Sequence, residues 1–363
     1  MKKLQVGIIG AGFIGKQHIE AIRRIPYTEI IAIVEHEQSL ADAVAEEFGI
    51  KHAYDDVDDL IANTTLDVVH NCTPSDLHFE INKKIIHAGI HLYCEKPLTK
   101  TSVESLELVE LIKAKKIKAA VNFNYRHNAM VAEMKERIKN KAIGDVWYLS
   151  VEYLQDWLLK KTDFNWRVQV GNTRAITDIG SHCFDIIQYL LDEPIVAVRA
   201  KRYILHPFRE DHKKTPMVIE NEDAALIQIK MASGIEGVVR VSQVSAGKKN
   251  DLNLMIEGTK QALEWYQEKP DRLWIGSQDQ GNTEIFADWK YLTGDAKGKI
   301  NLPNGHAVGW ADAFTNGISS FYQSLQNDEE YVADCTDFHQ AHHIMKIVDA
   351  CVKSDETGDW EQV

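Results

Sequence analysis

Up to Asn122 the chain alternates short apolar runs with stretches of helical period. Residues 4–9, 30–34, 51–54, 67–71, 91–94 and 119–122 read as strands. Between them, the stretch holding His18, Ile19, Ala21 and Ile22, residues 40–48, a segment after the acidic run 55–59, a segment ending at Gly89, and residues 103–114 read as helices. Such alternation predicts a parallel, doubly wound sheet, whose ligands bind at the carboxyl ends of its strands. After Arg126 the pattern changes. Residues 146–154, 195–203, 224–230, 237–244, 252–257, 261–265 and 272–275 read as strands, many with one apolar face, as antiparallel strands have. Helices are expected at 179–191, 311–325 and 338–352. The polar, proline-bearing stretch 205–220 reads as a loop. The expected organisation is α/β: residues 1–124 as one domain, and 125–363 as an α+β domain on a large, mostly antiparallel sheet.

The first strand runs straight into Gly10-Ala11-Gly12-Phe13-Ile14-Gly15, and a helix follows. Strand, G-x-G-x-x-G, helix is the order in which the motif has a mechanism. One glycine makes the turn, one admits a pyrophosphate to the backbone, and one lets helix and strand touch. The helix start adds free N–H groups and a favourable dipole. Glu35 ends the next apolar run, about twenty residues on, where an acid binds ribose hydroxyls and repels a 2′-phosphate. With His36 rather than an arginine after it, NAD is favoured over NADP.

The net charge of −13 argues against nucleic acid, whose phosphates need a basic surface. The acidic run 55–59 reads as a helix start with favourable charge rather than an ion site. The five cysteines are scattered and odd in number, which fits reduced thiols in the cytoplasm. Met1-Lys2-Lys3 mimics the start of a signal peptide, but Gln5 and the three glycines spoil that reading. No apolar stretch is long enough to span a bilayer.

Asp178, His182 and Asp185 are spaced to share one helix face. An acid beside a histidine suits proton transfer near neutral pH, since the carboxylate orients the imidazole and stabilises its cation. Taken alone, a capping aspartate and a satisfied histidine explain the spacing equally well. Metal sites usually gather three or more ligands, so no metal is expected here, nor among Cys335, His339, His342 and His343. Lys96 sits at a strand end, where it can stabilise a developing alkoxide, and Pro97 restricts its backbone.

Gly10-x-Gly12-x-x-Gly15, Thr73-Pro74…His78, Glu95-Lys96-Pro97-Leu98, Asn122…Tyr125-Arg126 and Asp178-x-x-x-His182-x-x-Asp185 occur in the order of the Gfo/Idh/MocA oxidoreductases, which the chain resembles over its whole length. The resemblance implies a Rossmann domain followed by an open-faced sheet that often forms dimers or tetramers. It implies a catalytic lysine, carried by Lys96, and a catalytic aspartate–histidine pair, carried by Asp178 and His182, all lining one site. It also raises a cis bond before Pro97. The expected cofactor contacts are Gly10, Gly12, Phe13, Ile14, Gly15, Glu35, Thr73, Pro74, His78, Glu95 and Lys96.

Tryptophans beside polar groups suit a sugar, which offers flat apolar faces and directed hydroxyls. Besides the catalytic three, the expected substrate contacts are Asn122, Tyr125, Arg126, Gln155, Trp157, Trp166, Arg167 and His306. Core or subunit-interface roles for the tryptophans stay open. The expected activity is NAD-dependent oxidation of a secondary alcohol on a small carbohydrate or cyclic polyol, with no nucleic acid or membrane partner. The alternatives are a glycosidase or isomerase that oxidises transiently, and a non-catalytic NAD-binding sensor.

Overall fold

The computed structural model describes all residues except Met1, Lys2, Val170, Asn172, His212 and 328–333, and the side chains of Trp166 and Gln169. It divides into two compact units, Met1–Asn124 with Phe314–Met345, and Tyr125–Ala313 with Lys346–Val363.

The first unit follows the alternation. Strands β1 (Leu4–Ile9), β2 (Thr28–Val34), β3 (His52–Tyr54), β4 (Val68–Asn71), β5 (His91–Cys94) and β6 (Ala119–Val121) are separated by helices α1 (Phe13–Arg23), α2 (Gln38–Phe48), α3 (Val57–Asn63), α4 (His78–His87) and α5 (Ser102–Lys115). The order β6-β5-β4-β1-β2-β3 is parallel throughout. Chain order reverses beside β1, so the ends of β1, β4 and β5 open on the crevice side of the sheet. Val6, Ile8, Ile33, Val68, Val69 and Leu92 are fully buried, as a sheet covered on both faces requires. The acidic run starts a helix: Asp56 caps α3 by accepting from the Asp58 N–H. At α5, Thr101 and Glu104 form a capping box.

The second unit begins with a helix absent from the pattern-based reading, α6 (Ala129–Lys139). Its start was legible: Asn128 caps it by accepting from the Met130 N–H at 2.8 Å. There follow β7 (Val146–Leu154), a π-helical segment (Ile176–Gly180), α7 (Ser181–Leu191) and β8 (Ile195–Tyr203). The loop expected at 205–220 in fact holds a small antiparallel hairpin, β9 (Phe208–Glu210) and β10 (Pro216–Val218). Then come β11 (Ala224–Met231), β12 (Glu236–Ser242), β13 (Asp251–Gly258), β14 (Gln261–Tyr266), β15 (Arg272–Ser277) and β16 (Thr283–Phe286). The chain finishes with α8 (Trp310–Gln326), β17 (Thr336–Asp337), α9 (Phe338–Thr357) and β18 (Glu361–Gln362). The large sheet runs β16-β15-β14-β13-β7-β12-β11-β8-β18. Only the β7–β12 pair is parallel. Burial alternates along β11, with Ala225, Ile227, Ile229 and Met231 inward, and Leu226, Gln228 and Lys230 outward. One face therefore packs on helices and the other is open.

Phe314–Met345 belongs to the first unit for two visible reasons. Strand β17 pairs antiparallel with β6, and Tyr322 of α8 bonds His70 of β4 at 2.6 Å. All five cysteines are buried, and none of them forms a disulfide. Among the described residues, no helix is long and apolar enough to cross a membrane.

Candidate active site

In the first unit the glycine turn between β1 and α1 is built as its spacing requires. Gly10 has a φ of +84°, and a Cβ there would stand 3.0 Å from the Cys72 carbonyl group. A Cβ on Gly15 would meet the Gly10 carbonyl oxygen at 2.0 Å, so helix and strand touch through this residue. Gly12 is different: apart from its own chain neighbours, nothing lies within 4 Å of its would-be Cβ. The first turn of α1 has neither a side-chain cap nor an acidic residue. Open space over bare N–H groups is what a pyrophosphate needs, so this cradle fits a dinucleotide. Phe13 stands beside it, 78 % exposed. Glu35 lies at the end of β2. Its Oε1 accepts from the Ala11 N–H, and its Oε2 is 3.2 Å from His36 Nδ1. The acid is thus tied to the glycine turn itself.

The ends of β4 and β5 are linked by one histidine. His78 reaches the Pro97 carbonyl with Nδ1 at 2.7 Å and the Thr73 carbonyl with Nε2 at 2.9 Å. Burial depresses its basicity, and the two carbonyls only partly offset that. Thr73 donates its hydroxyl to Asn71 Oδ1 at 2.7 Å. The Lys96–Pro97 bond is cis. Lys96 is half-buried, and its N–H donates to Glu95 Oε2 at 3.2 Å.

Glu95 is a buried anchor. Its Oε1 accepts from Asn122 Nδ2 at 2.6 Å and lies 3.0 Å from His18 Nε2. Burial alone would raise this carboxyl, but His18 and Asn122 together hold it below the usual range. His18 Nδ1 meets His70 Nδ1 at 2.7 Å, and His70 Nε2 meets the Tyr322 hydroxyl. One proton arrangement satisfies the whole row: Tyr322 donates to His70, His70 to His18, and His18 to Glu95. No spacing pattern links His18, His70 and Tyr322, which sit on three separate elements. Asn122, expected at the substrate, is 2 % exposed and joins the Tyr93 hydroxyl to Glu95.

In the second unit, Asp178 lies in the π-helical segment and His182 in the first turn of α7. The His182 ring is 6 % exposed and packs edge-on against Tyr125 (4.8 Å between centroids) and Tyr153 (6.1 Å). Those two phenols share a 2.7 Å hydrogen bond, and both reach Asn250. Burial raises both tyrosines, so they stay protonated. Asp178 Oδ2 accepts from Gln243 Nε2 at 2.8 Å, and its Oδ1 is 3.6 Å from Arg167 Nε.

Asp185 and Arg126 are committed to each other. Arg126 donates through Nε at 3.0 Å and Nη2 at 2.6 Å in a buried fork. This pair ties α7 to the segment leading into α6. Trp157 donates to Gln155 Oε1 at 2.7 Å and packs on the apolar cluster of Leu158, Val168 and Ile219. His306 is exposed and holds the Pro303 carbonyl at 2.8 Å. The side chain of Trp166 lies outside the described residues. Tyr153, Asn250 and Gln243 escaped the sequence reading, because each is an ordinary strand-end residue until the fold gathers it. Among the described residues, no group of three metal-ligating side chains could hold an ion.

Residues 4–123 match the oxidoreductase family with an NAD-binding Rossmann fold, and residues 131–264 match the GFO/IDH/MocA C-terminal domain. The levoglucosan dehydrogenase of Pseudarthrobacter phenanthrenivorans is 28 % identical, over 100 % of this chain and 99 % of that protein. The inositol 2-dehydrogenase of Rhizobium meliloti is 23 % identical over 97 % and 96 %. A solved levoglucosan dehydrogenase in complex with NADH and levoglucosan is 29 % identical, with a TM-score of 0.89 over 99 % of both chains. An inositol dehydrogenase homologue from Azotobacter vinelandii, solved with NADH and myo-inositol, shares the fold at a TM-score of 0.90, with 21 % identity over 100 % of this chain and 98 % of that one. With both halves matched, this chain belongs to the GFO/IDH/MocA family of NAD-binding oxidoreductases.

Proposed function

We propose that this chain is a dehydrogenase that moves hydride between a secondary alcohol of a sugar or cyclic polyol and NAD. The observation that carries the reading is His182, bracketed by two protonated tyrosines on the helical stretch that also bears Asp178. A buried imidazole beside a fixed carboxylate is a competent general base. Full-length similarity to a levoglucosan dehydrogenase supports a carbohydrate substrate.

In oxidation, His182 takes the hydroxyl proton, and Asp178 stabilises the imidazolium that results. Lys96 meets the same oxygen with its ammonium and offsets the charge that develops there. The C–H bond breaks as the carbonyl forms. When bound, the nicotinamide would supply the carbon that accepts the hydride. Gly12, the start of α1, Thr73 and Pro74 would hold the cofactor, and Glu35 would bind its ribose hydroxyls and disfavour a 2′-phosphate; His78, with both ring nitrogens on carbonyls, braces the Thr73 and Pro97 turns behind it. Tyr125, Gln155, Trp157 and Arg167 are the substrate-facing candidates we retain. Asn122 and Arg126, with their polar groups committed elsewhere, serve as framework.

The open sheet face carries Leu226, Val238 and Met255 among polar neighbours such as the Arg240–Glu152 pair. We assign this face to a homodimer or homotetramer contact. The reduced, buried thiols fit a cytoplasmic location.

A spectrophotometric screen of sugars and polyols with NAD and NADP tests the function. Net NADH formation on at least one sugar or cyclic polyol is the expected result. Turnover without net NADH would mean transient oxidation, and tight NAD binding with no turnover on any member would mean a sensor. Either result overturns the reading.

A further inference from the structure

Gln243 is completely buried at the end of β12 and bridges two groups of opposite demand. Its Nε2 donates to Asp178 Oδ2 at 2.8 Å, and its Oε1 accepts from Arg174 Nε at 3.0 Å. A guanidinium can only donate and a carboxylate can only accept, so the amide has one possible orientation. Behind it, Arg174 donates to Asp223 through Nη2 and reaches Asn221 through Nη1 at 3.3 Å. Asp223 also accepts from Arg209 Nη2 at 2.8 Å. Arg209 in turn donates to the carbonyls of Leu158, Lys160 and Asp163. Arg174, Asp223 and Arg209 are all at most 2 % exposed.

The segment that bears Asp178 needs such an anchor. It is a π-turn, a geometry rarer and weaker than the α-helix. Glu222 Oε1 holds its entry by accepting from the Ile176 N–H at 2.8 Å, the Arg174 N–H at 2.9 Å and the Thr173 hydroxyl at 2.8 Å. That fixes the backbone but not the Asp178 side chain. Arg167, 37 % exposed, adds an ion-pair contact with Nε 3.6 Å from Asp178 Oδ1.

We propose that Gln243 is the positioning residue of the Asp178 carboxylate, and that the Arg174–Asp223–Arg209 ion cluster anchors it to the same buried framework that holds the 158–163 loop. The inference deepens the proposed function and rests on its pairing of Asp178 with His182. It ties the orientation of the base to the loop that leads to Asn165 and Arg167.

The test needs no substrate. The His182 imidazole is titrated by NMR in the full-length protein, assigned by comparison with His182→Asn. The ionisable or phenolic groups around Asp178 are Arg167, His182, Tyr125 and Tyr153, with Arg174 behind Gln243. Gln243→Glu keeps the acceptor toward Arg174 and turns a second carboxylate toward Asp178. The added negative charge is expected to raise the His182 midpoint by about one pH unit. Gln243→Met keeps the volume but removes the bond to Asp178 Oδ2, and should also move the midpoint. An unmoved midpoint in folded variants overturns the proposal. So does failure of both variants to fold, which would leave Gln243 a framework residue only. Asp178→Asn separates the two levels. It should lower the midpoint. If it does not, the Asp178–His182 pairing itself is wrong, whatever Gln243 does.

Discussion

Gly12 and Gly15, three residues apart in the motif, should fail in opposite ways when changed to alanine. A Gly15 Cβ would lie 2.0 Å from a main-chain oxygen, which cannot rotate aside as a side chain could. Overpacking costs typically about 1–3 kcal/mol, and contact with backbone belongs at the top of that range. For a domain of this size, 3 kcal/mol lowers Tm by roughly 6–12 °C. Gly12 sits at φ −60° and ψ −169°, extended geometry that alanine adopts freely, with nothing beyond its own chain neighbours within 4 Å of the new methyl. Gly12→Ala should therefore change stability by less than about 1 kcal/mol. Its methyl would instead occupy the space left for the pyrophosphate. Losing one close backbone contact to a charged phosphate costs about 1.5–3 kcal/mol, or roughly 10- to 150-fold in Kd. Thermal melts and NADH fluorescence titrations measure both quantities. A folded Gly12→Ala protein that binds NADH within about twofold of wild type would refute the assignment of this cradle to the cofactor.

Three further outcomes are expected. Lys96→Ala should lower kcat by about 10²–10³-fold, as removal of an oxyanion donor does, with NADH affinity nearly unchanged; a parallel loss of affinity would place Lys96 in binding instead. Glu35→Ala should narrow the NAD-to-NADP ratio of kcat/KM, and an unmoved ratio would mean another group reads the ribose. His70 is depressed well below its usual value, first by burial and then by His18, and His78 is depressed by burial. The unfolded chain then binds protons that the folded chain refuses, so stability present above about pH 6.5 is lost as pH falls toward the folded midpoints, at about 1.4 kcal/mol per proton per pH unit. Melts from pH 7.5 to 5 should show this fall, and His70→Asn should flatten it; an equal slope in both proteins would discount His70.

How much of this was legible beforehand follows from the range of the forces involved. The glycine turn, Glu35 and the strand alternation are local, and they were readable because spacing alone dictates them. Helix α6 was not legible although Asn128 marks its start, because most of its apolar residues crowd into the first turns, Ala129 to Met134, rather than recurring at helical period along it. The hairpin β9–β10 was hidden by polarity and a proline that an edge strand tolerates. The face drawn through Asp178, His182 and Asp185 assumed one α-helix. The structure interposes a π-turn before α7 and commits Asp185 to Arg126. The residues that surround the reactive groups were the least legible. Gln243, Tyr153, Asn250 and the row from Glu95 to Tyr322 are set by contacts between distant elements, and no spacing rule encodes those.

The central chemical claim is that Lys96 and His182 act on one alcohol oxygen, and a double-mutant cycle on the single-turnover rate of hydride transfer addresses it most directly. If the ammonium and the imidazole act as a unit, Lys96→Ala with His182→Ala should cost little more than the worse single change. If the two losses multiply in full, each group works independently, and the shared-oxygen mechanism is wrong.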